Sequence, residues 1–455
     1  MTLPMFDEIQ TAFPHTDDTA TPHTVSAIGA GALPSWFEVT NLAVASIGIA
    51  GAKLARLIEP HLDGRPRIKI DRRLASLWFG MTLRPHGWEM PSPWDPIAGD
   101  YHTKDGWIRL HTNAPHHRAA ALSVLGRHSD RAGLEPAVLK WESDDLEYAI
   151  VEAGGCAATM RDLTGWENHP QGSAVSEEPL ILWQAHGSVD PKPHGFVTDR
   201  PLAGIRILDL TRVLAGPVAG RFLAAYGADV LRIDPPYWDE PGVIPEVTLG
   251  KRCAGLDLKD HDDRIAFERL LAGADVLLHG YRPDALINLG YDLETLRRIN
   301  PAMIDTSLNA YGWSGPWSGR RGFDSLVQMS SGIADYGMKM SGADRPVPLP
   351  VQALDQATGY LLAAATLHAL RDRMATGRIS SARLSLAGVA RLLCGTRRTD
   401  LAQAMPAETE DDADPRIERT AWGPARRVKF PLQITGIAPA WEHPAGMLRS
   451  AEPVW

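Results

Sequence analysis

Cysteine is scarce in this chain: Cys156, Cys253 and Cys394 are the only three in 455 residues. They stand far apart and no CxxC spacing occurs, so neither a disulfide framework nor a thiolate metal centre is indicated. Long basic runs are missing too and the formal net charge is −9, so nucleic acid is not an expected partner. Residues 1–31 lack a charged segment followed by an apolar one, so no secretory leader is expected. The longest apolar stretch, near 42–52, falls short of a bilayer's thickness. The dinucleotide fingerprint GxGxxG is absent as well. In IRILDLTRVLAGPVAG the spacing of Gly216 and Gly220 is wrong, and Pro217 removes an amide donor. What remains is 44% hydrophobic and 22% charged, the balance of a soluble globular protein with room for two or three domains. A cytoplasmic enzyme or binding protein is expected.

Residues 1–27, rich in Thr, Pro, His and Asp, read as an irregular arm. Residues 28–96 hold an apolar helix, a Gly-Arg turn, a short strand and a second helix. Residues 97–180 change texture. DGWIRLHTN reads as a strand, PHHRAAALSVLG as a helix opened by Pro115, and SDDLEYAIVEAGG as a helix capped by Ser143. This predicts a small α+β domain. Residues 181–199 read as a linker. From 200 to 396 strands alternate with helices, which predicts βαβ units and a mostly parallel sheet. Residues 397–455 read as an acidic, solvated loop followed by an extended tail wrapped over the core. The histidines His111, His116 and His117 suggest a metal site at first. Neighbouring helical positions point about 100° apart, however, and no Cys or acid pair completes a ligand set. They are read as surface or packing residues.

The stretch 349–373, LPVQALDQATGYLLAAATLHALRDR, is an apolar helical run whose single acid before Asp372 is Asp355. Asp355 falls near the helix N-terminus, where a carboxylate accepts backbone N–H groups and meets the positive end of the dipole. A plain capping role fits that stretch taken alone. Residues 33–78 run through the same succession as 349–393: Leu-Pro, polar entry, apolar helix, Gly-Arg turn, strand and helix. An internal repeat is expected, with a slip of about three residues near the entry. The position of Asp355 then falls on or beside Asn41, whose amide is a far poorer nucleophile.

The ordered segments PLAGIRILDLTRVLAGPVAGRFLAAYGADVLRIDPP, GKRCAGLDLKD, ADVLLHGYRPDAL, LGYDLETLRRINPAMIDTSLNAYGWSGPW and GFDSLVQMSSG resemble the class III CoA-transferase family over about 200–395. The fold this implies is α/β, a Rossmann-like parallel-sheet large domain with a smaller α+β domain, here with a partial internal duplication. The small domain precedes the nucleotide-binding half instead of following it. The resemblance implies that Asp355 is the catalytic nucleophile and that CoA is bound as a substrate without any metal. It puts CoA contacts on Val213, Leu214 and Ala215, on Leu256 and Lys259, on Gly280, Tyr281 and Arg282, and on Asn309 and Tyr311. Pro235 and Asn288 stand where basic CoA contacts often occur. Racemases of that family carry GHD, but this chain has Gly322-Phe323-Asp324, and Phe323 cannot move a proton. The expected activity is transfer of CoA between an acyl-CoA and a free carboxylic acid through an aspartyl-CoA intermediate, in a homodimer. The expected partners are acyl-CoA and carboxylic acid, with neither nucleic acid nor membrane. Asp355 is expected to be ionised at pH 7, and the helix N-terminal amides are expected to stabilise developing charge. A racemase, or a non-catalytic CoA-binding protein, is the alternative.

Overall fold

The computed structural model describes residues 5–14, 24–62, 64–191 and 195–455. Residues 1–4 and 15–23 of the expected arm, and 192–194 of the expected linker, lie outside those described. The rest of the arm is ordered, which corrects the irregular reading. Phe6, Ile9 and Phe13 share one face of a helix, Phe6–Thr11, and its continuation, and all three are buried. Val25–Ile28 (β1) then pairs in parallel with Ile68–Asp71 (β2).

The helices Val39–Ile58 and Ala353–Thr376 are buried on nearly every face and pack against each other. By length and composition the segment Val39–His61 is apolar enough to cross a bilayer, longer than the 42–52 stretch expected from sequence. Here that apolar surface faces the protein core. Both helices begin in the same way. Glu38 (φ −76°, ψ 51°) and Gln352 (φ −75°, ψ 66°) are the centres of inverse γ-turns. In these turns Val39 N–H donates to Phe37 O, and Ala353 N–H to Val351 O, each at 2.8 Å. Asn41 and Asp355 are therefore both third in their helices. The repeat holds that register further on, where Asp71 caps Arg72–Trp78 and Ser385 caps Leu386–Cys394. The Leu-Pro entry is out of this register by two residues and the Gly-Arg turn by one.

After Leu83–Pro85 (β3) come Gly99–His102 (β4), Trp107–Leu110 (β5) and Ala157–Thr159 (β6). These last three form an antiparallel sheet with its own core of Tyr101, Ile108, Leu134 and Ile150. The helix Asp324–Ser330 lies against this sheet through Leu326 and Met329, which pack on Cys156 and Ala158.

The main sheet holds Leu182–Ser188 (β7), Arg206–Leu210 (β8), Asp229–Asp234 (β9), Lys251–Gly255 (β10), Val276–His279 (β11), Ile304–Asn309 (β12) and Arg378–Ser385 (β13). Its order is β10-β9-β8-β11-β12-β13-β7, parallel except for β7. The expected linker 181–199 thus contains an edge strand. Trp183 anchors it, packing on Phe13 and His368 at ring distances of 6.1 and 5.1 Å. The order of strand addition reverses between the parallel neighbours β8 and β11, so the loops after these two strands diverge and open a crevice at their C-terminal ends.

The tail is more than extended chain. Glu418–Thr420 (β14) and Gly423–Arg427 (β15) join β3, while Leu432–Ile434 (β16) pairs with β2. The acidic run is partly bound as well. Asp412 accepts two hydrogen bonds from Arg73, at 2.8 and 2.6 Å, and these hold its carboxyl down to about 2. The fully buried Glu246 accepts from Thr82 N–H (2.9 Å), Thr82 Oγ1–H (2.6 Å), Arg427 (3.3 Å) and Arg221. One carboxylate thereby joins the first copy, the main sheet unit and the tail.

Candidate active site

Asp355 is the third residue of the helix Ala353–Thr376 and is only 7% exposed. Upstream, Asp324 opens the helix Asp324–Ser330; its Oδ2 accepts Asp355 N–H at 2.9 Å, and Leu354 N–H also donates to its carboxylate. Gln328, one turn on, donates its amide to Asp324 and accepts Leu349 N–H at 2.7 Å. Asp324 is therefore the cap that the long helix lacks in its own sequence. The arrangement corrects one expectation: the first amides of this helix are committed. Ala353 N–H goes to Val351 O, Gln356 N–H to Gln352 O at 3.1 Å, and the two between them to Asp324.

Two acids now share one dry corner. Burial, and then the Asp324 and Glu240 charges, push the Asp355 carboxyl well above the ordinary carboxylate range. Burial also raises Asp324, to about 6, against the opposing hydrogen bonds from Gln328 and the two amides. Asp355 is accordingly not the freely ionised acid that its sequence context suggests.

The pair opens into a cavity of about 510 Å³. Its walls come from Trp94, the small domain (Arg109, His111), the loop after β8 (Val213, Leu214) and the start of the long helix. A second hollow of about 260 Å³ adjoins it, sharing Trp94, His111, Asn113, Val213 and Phe323, and reaches Trp238 and Glu240. Gly359, one turn beyond Asp355, brings the helix Ala215–Ala225 close. A β-carbon there would stand 2.4 Å from Ala215 O and 2.7 Å from Val218 Cβ. This contact fixes the β8 loop relative to Asp355.

The residues expected from sequence divide into groups. Val213, Leu214 and Asp355 line the same cavity, and Ala215 begins the helix behind them. Val213 has φ +64°, costly for a β-branched residue. Its N–H donates to both oxygens of Glu240, at 3.0 and 2.9 Å. Tyr281 accepts from Arg212 at 3.1 Å, and Gly280 and Arg282 flank it after β11, across the crevice from Val213. Arg282 reaches Gly319 O at 3.3 Å. Lys259 is exposed, with its ammonium 5.2 Å from the Tyr237 ring. Three residues are committed elsewhere. Leu256 is packed in the core with Leu258 and Phe267. Asn309 exchanges two hydrogen bonds with Gly312 (2.6 and 2.9 Å), and Tyr311 is buried against Trp166, Trp317 and Ser330. None of the three lines the Asp355 cavity.

Sequence reasoning missed Asp324, Gln328, Arg109, His111 and Glu240. The i,i+4 pair in DSLVQ was the available signal for the first two. His111 was read as packing, and it does stack on Phe323 at 3.6 Å and 12°. It nevertheless lines the cavity, and burial lowers its basicity strongly.

Residues 202–422 match the family model for CoA-transferase family III. An acyl-CoA transferase of Gibberella moniliformis is 28% identical over 303 residues, covering 61% of this chain and 53% of that protein. The acetyl-coenzyme A transferase nodX of Hypoxylon pulicicidum is 30% identical over 311 residues, covering 62% and 51%. A succinate–glutarate CoA-transferase of Agrobacterium fabrum is 34% identical over 195 residues, covering 38% and 48%. A crystal structure of a CAIB/BAIF family protein from Brucella suis aligns with a TM-score of 0.38 at 25% identity, covering 50% of this chain and 65% of that one. The chain spans about half the length of the curated relatives it matches. Asp324, Asp355 and the strands β8 to β13 all fall inside the segment, residues 202–422, over which this chain is similar to CoA-transferase family III.

Proposed function

We propose that the chain transfers CoA between an acyl-CoA and a free carboxylic acid, with Asp355 as the nucleophile. One observation carries the reading: a buried carboxyl with raised proton affinity stands at the wall of a cavity flanked by the β8 loop, beside the sheet's crevice. An Asp355 oxygen attacks the thioester carbonyl, the C–S bond breaks and CoA thiolate leaves, giving a mixed anhydride. The thiolate attacks the Asp355 carbonyl, the donor acid departs and an aspartyl-CoA thioester remains. The acceptor carboxylate attacks that thioester and again expels thiolate. Return of the thiolate to the acceptor carbonyl forms the new acyl-CoA and frees Asp355. Since the helix amides are engaged by Asp324 and neighbouring carbonyls, the side-chain amides of Gln352 and Gln356, which line the cavity, are left to meet developing charge.

Binding of CoA through the loops at Val213–Ala215 and Gly280–Arg282, which follow β8 and β11, belongs to this reading, with Lys259 beyond the edge strand β10 as a further contact. A homodimer is supported by the family resemblance, and light scattering at one protomer's mass would count against it. A cytoplasmic location is supported by the three free cysteines. To test the nucleophile, the protein is incubated with acyl-CoA, trapped with hydroxylamine or borohydride and digested. Modification is expected on the Asp355 peptide alone. Asp355→Asn should lose about a thousandfold or more in turnover. A folded Asn variant with near-normal turnover would return Asp355 to a capping role.

A further inference from the structure

The two adjoining hollows are walled by several acids, Asp324, Asp355 and Glu240 among them, but among the described lining residues by a single arginine or lysine, Arg109. An acid substrate must bring its own negative charge into this space. Burying it beside Asp324 and Asp355 is unfavourable without a nearby cation.

Arg109 lies on β5 and meets the cavity from the small-domain side. Its side chain is 13% exposed. Nη1 donates to Asp100 Oδ1 at 2.7 Å, and the guanidinium lies 5.1 Å from the Trp94 ring centre. The Nε–H is buried and makes no hydrogen bond. A guanidinium carries five donors in a planar fork that matches a carboxylate two at a time. The Asp100 contact uses one donor and orients the ring of donors, leaving the Nε edge unspent.

We propose that Arg109 is the anion anchor of the acid substrate and binds one of its carboxylates through that edge. The inference rests on the transfer reading above and adds the group that selects the acceptor. The anchored group is either the reacting carboxylate, which every acid carries, or the distal carboxylate of a dicarboxylic acid, and the choice of acceptor decides between them.

The experiment separates the two halves of the reaction in the full-length protein. Labelling of Asp355 by acyl-CoA is timed without acceptor. The acceptor KM is then measured with acetate and butyrate, and with succinate and glutarate. In Arg109→Gln the acceptor KM should rise about tenfold or more, as expected for a lost charged hydrogen bond, while the labelling rate stays within about twofold of the parent. Arg109→Lys keeps the charge and a partner for Asp100 but loses the fork, so its acceptor KM should fall between the two. A rise confined to succinate and glutarate assigns the anchor to the distal carboxylate; a rise for all four assigns it to the reacting one. Asp100→Asn controls for a structural role and should leave the acceptor KM near normal. The proposal is overturned by an unchanged acceptor KM in both Arg109 variants, by labelling and transfer falling together, or by Asp100→Asn reproducing the Arg109→Gln result. If the parent protein is never labelled at Asp355, the transfer reading fails first, and the anchor with it.

Discussion

Burial and the neighbouring Asp324 charge make Asp355 a conditional nucleophile, because only the ionised form attacks. The rate of labelling by acyl-CoA should therefore climb with pH as Asp355 ionises, on a limb held above about 6 by the Asp324 charge that forms there. The two residues titrate as a pair, so the profile reports both. Asp324→Asn keeps an oxygen to accept the Leu354 and Asp355 amides but removes the neighbouring charge. Its ascending limb should move to lower pH, and a limb left in place would mean that Asp324 acts only as a cap. The stability effect has the opposite direction. A carboxyl whose folded pKa lies above its unfolded value favours the fold while protonated, and loses that advantage as pH rises through the shifted pKa. Asp355→Asn should thus melt near the parent at pH 4 and above it at pH 8. The place of Asp355 near the start of an apolar helix was legible in the sequence, while its proposed role came from the family resemblance. Its protonation was not, because Asp324 and Glu240 reach it from stretches 31 and 115 residues away in the chain.

At the scale of elements, the alternating strands and helices from 200 onward predicted the parallel sheet. Periodicity failed where pairing partners are remote. Nothing local marks Leu182–Ser188 as a strand, since its pairing depends on the open edge of β13. The helix Phe6–Thr11 is similarly supported by burial against the helix Val39–Ile58. Leu256 shows the converse: the motif that contains it was recognised, but its side chain serves the core. The contact at Gly359 is the element-level feature with the clearest test. Gly359→Ala must separate the long helix from Ala215–Val218, at a cost of about 1–3 kcal/mol for overpacking. It should also raise the KM for the CoA ester by displacing Val213 and Leu214. Parent-like melting and KM would show that the two helices accommodate the methyl group.

Across the whole molecule, small-domain side chains face chemistry carried by the main sheet unit, and the tail strands complete sheets begun in the first copy. The Glu246 cluster is the point where these pieces meet, with one carboxylate between Arg221 and Arg427. Glu246→Gln leaves two guanidiniums without their shared counter-charge and should destabilise the protein by about 3–5 kcal/mol, read from denaturant melts. A smaller loss would mean that Glu418, which also pairs with Arg427 at 2.6 Å, carries part of the role. The order in which a ribosome releases the chain gives the tail a further meaning. β2 and β3 are made early, yet one edge of each is covered only by residues 423–434. Throughout most of synthesis those edges offer free backbone amides and carbonyls to any neighbouring nascent chain. The protein is therefore exposed to misassembly during translation in a way that the finished fold conceals, and slower initiation or a chaperone holding the N-terminal third should improve the yield of folded protein more than any change to the core.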